Sequence, residues 1–224
     1  MELSENAVHL FVVGLTHDRA RLERSRSLLS PDEIERAGRF RFDQHRERFI
    51  GSRAALRTVL GGSLGIEPGE IEFEYNDYGK PSLPGDLRFN LTDSFDVAVV
   101  ALTVRNDIGV DVERIRARPN GVRFADRFFA PSEAESIRLA PASERDQWFF
   151  SCWTRKEAYV KALGKGLAVP LKSFIVEGDP ALDRPRLHGS EGWTLASFIP
   201  VPGFAGAVCV RGSGLRELRL QRID

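Results

Sequence analysis

Two stretches of this 224-residue chain can be laid over each other. FIGSRAALRTVLG, residues 49–61, matches CWTRKEAYVKALG, residues 152–164, at a constant offset, and both end in a leucine and a glycine. Each belongs to a long helical pattern, and the order of elements around the first recurs around the second. The chain therefore reads as α/β (α+β): two similar halves, 1–105 and 106–224, related by a pseudo-twofold axis and facing each other. Clefts between such halves are common ligand sites. The overlay puts Ile50 opposite Trp153 and Ala54 opposite Glu157, so the first half lacks an acid that the second carries.

In the first half, Val8–Gly14 reads as a buried strand. Ser30-Pro31-Asp32-Glu33 starts a short helix, with Ser30 as cap, Pro31 in the first turn and Glu33 at the capping-box position. A second helix runs from Asp43 or Gln44 to Leu60, where GGSLG breaks it. Its Arg46, Arg48, Arg53 and Arg57 are either a solvated face or a row facing an anion. Ile71–Tyr75 alternates as a strand. After the turn at Tyr78-Gly79-Lys80-Pro81 come a short strand, Arg88–Leu91, and a central one, Val97–Val104. Ile108–Arg114 then returns as a hairpin partner. In the second half Ser132 caps a short helix with Glu135 in its capping box, and Ser143 caps the long helix. Leu171–Val176, Trp193–Ile199, Ala205–Val210 and Leu215–Ile223 read as strands.

Lys+Arg and Asp+Glu both number 32, so the formal net charge is zero, which argues against a general nucleic-acid binder. The start, MELSENAVHL, lacks the basic region and long apolar run of a signal peptide, and Val97–Val104 is too short to span a membrane. Cys152 and Cys209 fall on unlike elements and are expected as free buried thiols in a reducing cytosol. His9, His17, His45 and His188 show no metal-ligand spacing.

The stretch Phe149–Leu167 carries the densest chemistry. Residues four apart on a helix share a face, so Trp153, Glu157 and Lys161 form one stripe before Gly164 ends the helix. The stripe is either an ordinary surface Glu–Lys pair or part of a site. Along Ile108–Arg114, strand period two sets Gly109, Asp111 and Glu113 on one face. That face is either solvated, or, as a glycine within a strand suggests, closely approached by a ligand or another backbone. If Glu157 converges with Asp111 and Glu113, two like charges about 4 Å apart repel by roughly 4 kcal/mol at an effective dielectric near 20, so three acids require a cation. Mg²⁺ suits them, because it takes a few carboxylates and completes its octahedron with water and substrate phosphates. Lys161, flanked by Lys156 and Lys165, would meet those phosphates.

IGVDVER followed by WTRKEAYVKALGKGL resembles the paired signature of the 4′-phosphopantetheinyl transferases. The length and the two-half layout resemble the monomeric surfactin-synthetase-activating (Sfp) type, not the short trimeric holo-acyl-carrier-protein synthase type. Ser30-Pro31, Arg39-Phe40, Tyr78-Gly79-Lys80-Pro81 and Phe89-Asn90-Leu91-Thr92 resemble further family landmarks. The resemblance implies that 4′-phosphopantetheine moves from coenzyme A to a serine of an apo acyl or peptidyl carrier protein, releasing adenosine 3′,5′-bisphosphate. It implies Asp111, Glu113 and Glu157 as Mg²⁺ ligands, and Glu157 and Lys161 as the catalytic pair. Glu157 would accept the serine proton, directly or through water. Gly79, Lys80 and Pro81 would line the adenine side, and Arg48 would approach the 3′-phosphate. Thr92, Asp93, Asp111 and Lys161 would complete the coenzyme A site. Phe124, Phe128 and Phe129 fall where the family docks carrier helices, or belong to the core. The implied protein is a cytoplasmic monomer that binds neither nucleic acid nor membrane.

Two residues depart from the family pattern. Asp93 stands where the family usually has a histidine that contacts coenzyme A phosphates. It either turns toward an arginine, touches the metal shell through water, or weakens coenzyme A binding, with the first two favoured. Glu33 lies near where relatives carry a base.

Overall fold

A computed structural model of the protein describes residues 3–4, 7–15, 18–212 and 217–223. The elements run β1 (Ala7–Gly14), α1 (Arg19–Ser27), α2 (Pro31–Gly38), α3 (Asp43–Leu64), β2 (Glu74–Tyr75), β3 (Pro81–Ser82), β4 (Leu87–Ser94), β5 (Val97–Val104) and β6 (Ile108–Arg114). They continue with α4 (Gly121–Phe128), α5 (Pro131–Leu139), α6 (Arg145–Leu163), β7 (Ile175–Val176), β8 (Leu187–His188), β9 (Trp193–Phe198), β10 (Phe204–Arg211) and β11 (Glu217–Ile223). Among the described residues, no helix is long and apolar enough to cross a membrane. Residues 215 and 216 of the expected last strand, and His17, lie outside the described residues.

The repeat is visible in the sheets. One is ordered β1-β5-β4 and the other β6-β10-β9, antiparallel throughout, with β11 added parallel to β1 on the outer edge of the first. Strand alternation divides the core between layers. Val97, Val99 and Ala101 of β5 join Val110 and Val112 of β6 and Val208 of β10 between the sheets. Val100 and Leu102 turn the other way, onto Leu56 and Leu60 of α3. Ala205, Ala207 and Cys209 of β10 turn onto Ala158 and Ala162 of α6. The order is helix, sheet, sheet, helix. β5 reads as an apolar run from Val97 to Leu102 because both its faces are covered.

Each long helix is pinned by a buried acid. Glu33 accepts from Arg53 Nε at 2.6 Å, from Arg57 Nε at 2.7 Å, and from the Ser30 backbone N–H at 3.1 Å. Glu133 accepts from Lys156 Nζ at 2.8 Å and from the Ala130 and Val176 N–H groups at 2.8 and 2.7 Å. Arg57 also donates to the carbonyls of Pro68 and Ile71, and Lys156 to those of Leu171 and Phe174. Arg53 and Lys156, Pro68 and Leu171, and Ile71 and Phe174 are all related by the helix offset. These bonds explain two expected strands that shrink. Ile71–Tyr75 pairs only at Glu74–Tyr75, and Leu171–Val176 only at Ile175–Val176, because the preceding carbonyls are taken by the buried bases.

Other expectations are corrected. β6 is not a hairpin partner of β5, whose two edges are held by β1 and β4; it pairs with β10 instead. α3 runs through Gly61 and Gly62 and stops at Gly65, which takes φ 72°. Gly61 stays small because a Cβ there would stand 2.7 Å from the Ile66 carbonyl. Ala130, not Ser132, precedes α5, and Glu133, not Glu135, reaches back to its start. Glu144, not Ser143, precedes α6. The arginine-rich α1 has no apolar periodicity to betray it; Asp18 caps it by accepting from the Arg21 N–H.

Candidate functional site

The two sheets meet along β4 and β6. Asn90 Oδ1, Thr92 Oγ1 and Ser94 Oγ accept from the N–H groups of Val110, Val112 and Arg114 at 2.8, 3.4 and 3.2 Å. Both series rise together, so the strands run in the same direction, joined by side chains where a sheet would use carbonyls. α6 lies directly against β6. A Cβ on Gly109 would stand 2.1 Å from the Ala158 carbonyl oxygen and 2.2 Å from the Ala162 nitrogen. The glycine in the strand thus marks close approach by a backbone, and that approach brings the Glu157–Lys161 stripe to Asp111 and Glu113.

Asp111 is 5% exposed. Its Oδ1 accepts from Lys161 Nζ at 2.6 Å and from Thr92 Oγ1 at 3.2 Å, while its buried Oδ2 has no hydrogen-bond partner. Burial pushes the Asp111 carboxyl above the usual range, and Lys161 pulls it back only in part. Glu113 accepts from Ser94 Oγ at 2.8 Å; burial raises it, Ser94 lowers it, and Asp111 raises it again. Glu157 is raised by burial first, then by Asp111 and Glu113. The three acids therefore feel one another as like charges.

They are not drawn to a common centre. Among the described residues no group of three or more His, Cys, Asp and Glu side chains is arranged to hold a metal. Lys161 instead sets its ammonium on Asp111. The donor set nevertheless fits a hard cation. A buried carboxylate oxygen without a partner costs about 1–3 kcal/mol or more, and Asp111 Oδ2 is such an oxygen beside two further carboxylates.

Arg48 lies 3.9 Å from Asp93 Oδ2, and its guanidinium sits 5.6 Å from the centroid of the Phe95 ring. Asp93 has turned toward an arginine, the first of the three accounts. Burial raises its carboxyl, and Arg48 and then Lys161 lower it. Arg48 Nε is buried without a hydrogen-bond partner.

The turn at Asn76–Pro81 interlocks with the end of α6. Lys80 Nζ donates to the Ile108, Lys161 and Ala162 carbonyls at 2.9, 2.8 and 3.1 Å, and Asn76 Nδ2 to the Gly164 carbonyl at 2.9 Å. Lys80 is thus a tie between the halves and caps orphan carbonyls of the last helical turn. With Asn76, Pro81, Phe89, Asp107 and Gly164 it lines a cavity of about 210 Å³. Gly79 is exposed and holds the turn at φ 80°. A larger cavity of about 620 Å³ opens between α1, α3 and β1, and none of the three carboxylates lines it.

Lys156 does not flank the cleft: it is fully buried against Glu133. Phe129 is core, and Phe124 packs on Phe128, Phe149 and Trp153; Phe128 alone of the three is exposed, at 39%. Trp153 fixes α6 by stacking on Phe129 and Phe149. Sequence reasoning missed Asn76 and Ser94. Ser94 had a readable signal, the polar period-two run Asn90, Thr92, Ser94 in a strand.

The sequence has known counterparts. The profile of the 4′-phosphopantetheinyl transferase superfamily matches residues 107–198. The 4′-phosphopantetheinyl transferase HetI of Nostoc sp. is 37% identical over 222 residues, covering 96% of this chain and 92% of its own. The 4′-phosphopantetheinyl transferase Sfp of Bacillus subtilis is 29% identical over 193 residues, covering 84% of each chain. A holo-(acyl-carrier-protein) synthase from Bacillus anthracis, solved in complex with CoA (3′,5′-ADP), aligns to 48% of this chain and 96% of its own, with 24% identity and a TM-score of 0.39. The chain belongs to the 4′-phosphopantetheinyl transferase superfamily.

Proposed function

We propose that this protein transfers 4′-phosphopantetheine from coenzyme A to a serine of an apo acyl or peptidyl carrier protein, with Mg²⁺, releasing adenosine 3′,5′-bisphosphate. The observation that carries the reading is Asp111: buried, one oxygen on Lys161 and the other unpartnered, within electrostatic reach of Glu113 and Glu157. Asp111, Glu113 and Glu157 would hold the metal, which when bound neutralises the diphosphate and polarises the phosphorus under attack. Lys161 exchanges part of its bond to Asp111 for a phosphate oxygen and offsets charge on the leaving group. Glu157 accepts the proton of the serine hydroxyl, directly or through water. The serine oxygen bonds to the phosphorus that carries the pantetheine, and that phosphorus releases the oxygen of adenosine 3′,5′-bisphosphate.

Coenzyme A would lie along the seam between residues 1–105 and 106–224. Pro81 and Lys80 border its adenine side beside Gly79, Thr92 reaches it through Lys161, and Arg48, with Asp93 beside it, meets phosphate. The cleft forms within one chain, which supports a monomer, and two free buried thiols suit the cytoplasm.

The test is to incubate the protein with Mg²⁺, coenzyme A and several apo carriers and to weigh the carriers. Each carrier that is served gains the mass of phosphopantetheine. Bound coenzyme A with no mass gain on any carrier would make the protein a binding module.

A further inference from the structure

The polar run of β4 does more than join the halves. Asn90, Thr92 and Ser94 each meet the β6 N–H group twenty residues on. Thr92 and Ser94 also meet the side chain nineteen residues on, which is Asp111 for Thr92 and Glu113 for Ser94. For Asn90 the residue at that spacing is Gly109, which offers nothing to hold. The ladder therefore has three rungs, two of which end on a carboxylate.

We propose that Ser94 is a positioning residue. Its hydroxyl accepts the Arg114 N–H at 3.2 Å, which fixes the direction of its own proton, and donates that proton to Glu113 Oε2 at 2.8 Å. One carboxylate oxygen is thereby tied to the opposite half, which restricts where the other can point. Ser94 is 5% exposed, so water does not replace the bond when the hydroxyl is removed. Thr92 differs, because its hydroxyl is shared with Lys161 at 3.1 Å as well as Asp111. The first half supplies none of the three acids proposed to hold the metal, but it aims one that the second half supplies. The inference rests on the functional reading above, in which Glu113 is a metal ligand. Partners that orient metal ligands typically change affinity 10–100-fold when removed.

The experiment uses the full chain and Mn²⁺ as the probe ion, with affinity read by electron paramagnetic resonance, the Mg²⁺ concentration for half-maximal transfer, and the melting temperature in EDTA. Ser94→Ala should weaken Mn²⁺ binding by about 10-fold and raise the half-maximal Mg²⁺ concentration in step. Ser94→Thr, which keeps the hydroxyl, should restore both toward wild type. Asn90→Ala, the rung without an acid, should lower the melting temperature and leave Mn²⁺ affinity unchanged. Equal Mn²⁺ affinity in Ser94→Ala and wild type would overturn the proposal. So would an equal loss in Asn90→Ala, which would mean that a loosened seam is the cause. A wild-type protein that binds no Mn²⁺ would overturn the functional reading itself, and this inference with it.

Discussion

The two halves differ least where they are most deeply buried and most where they face each other. Glu33 with Arg53 and Arg57, and Glu133 with Lys156, hold α3 and α6 by the same plan, down to the carbonyls of the short turn that follows each helix. By the overlay, Ala54 of α3 stands where α6 carries Glu157, and it is buried beside the cavity between α1, α3 and β1. β4 brings hydroxyls and an amide to the seam, and β6 brings carboxylates. A repeat can keep its scaffold and divide the chemistry, because the acid pins serve folding in both halves whereas clustered carboxylates are useful once. Two facing acid clusters would double the like-charge repulsion without a second ligand to offset it.

The comparison is broken most directly at its asymmetric position. Glu157→Ala makes α6 resemble α3 there, and transfer should fall by roughly 10²–10⁴-fold with the fold intact, read by carrier mass and circular dichroism. Normal transfer by that variant would remove Glu157 from the mechanism.

At the symmetric position the effect should be on stability and alike in the two halves. Glu133→Ala and Glu33→Ala each leave a buried base uncompensated and should destabilise by about 3–5 kcal/mol in denaturant titrations. A large cost in one half alone would show that the matched pins are not equivalent.

The halves should also differ in how pH acts on them. Burial raises the Glu33 carboxyl, but Arg53 and Arg57 outweigh it and hold the folded value below the usual range. Its contribution is present above the unfolded value and is lost as pH falls through the folded one. Asp111, Glu113 and Glu157 are raised by burial, so the native state binds the more protons and stability falls as pH rises from the ordinary carboxylate range to their folded values. Glu157→Gln should therefore raise the melting temperature of the metal-free protein at pH 8, and Mg²⁺ should do the same for wild type but not for the variant.

The smallest expected change is at Asp93. Asp93→His should keep activity and tighten coenzyme A binding by several-fold in calorimetry, since a base then faces the phosphates. Weaker binding would show that Asp93 has a positive role in holding Arg48.

Much of this was legible in the sequence. Apolar runs gave β1, β5 and β10, and strand and helix periodicity gave β6 and most of α3 and α6, because each of these patterns is local to its own element. The overlay of residues 49–61 on 152–164 pointed to the repeat that the two sheets display, and the residue types at Asp111, Glu113, Glu157 and Lys161 pointed to the chemistry proposed above. The sequence could not say that Lys156 turns inward while Lys161, five residues on, turns to the cleft. It could not say that β6 leaves β5 for β10, that Lys80 ties two elements far apart in the chain, or that Ser94 reaches Glu113. Each of these depends on which group lies across a buried gap. An unpaired charge or N–H group in that gap is costly enough to override local preference, and its partner is found only once the halves have closed.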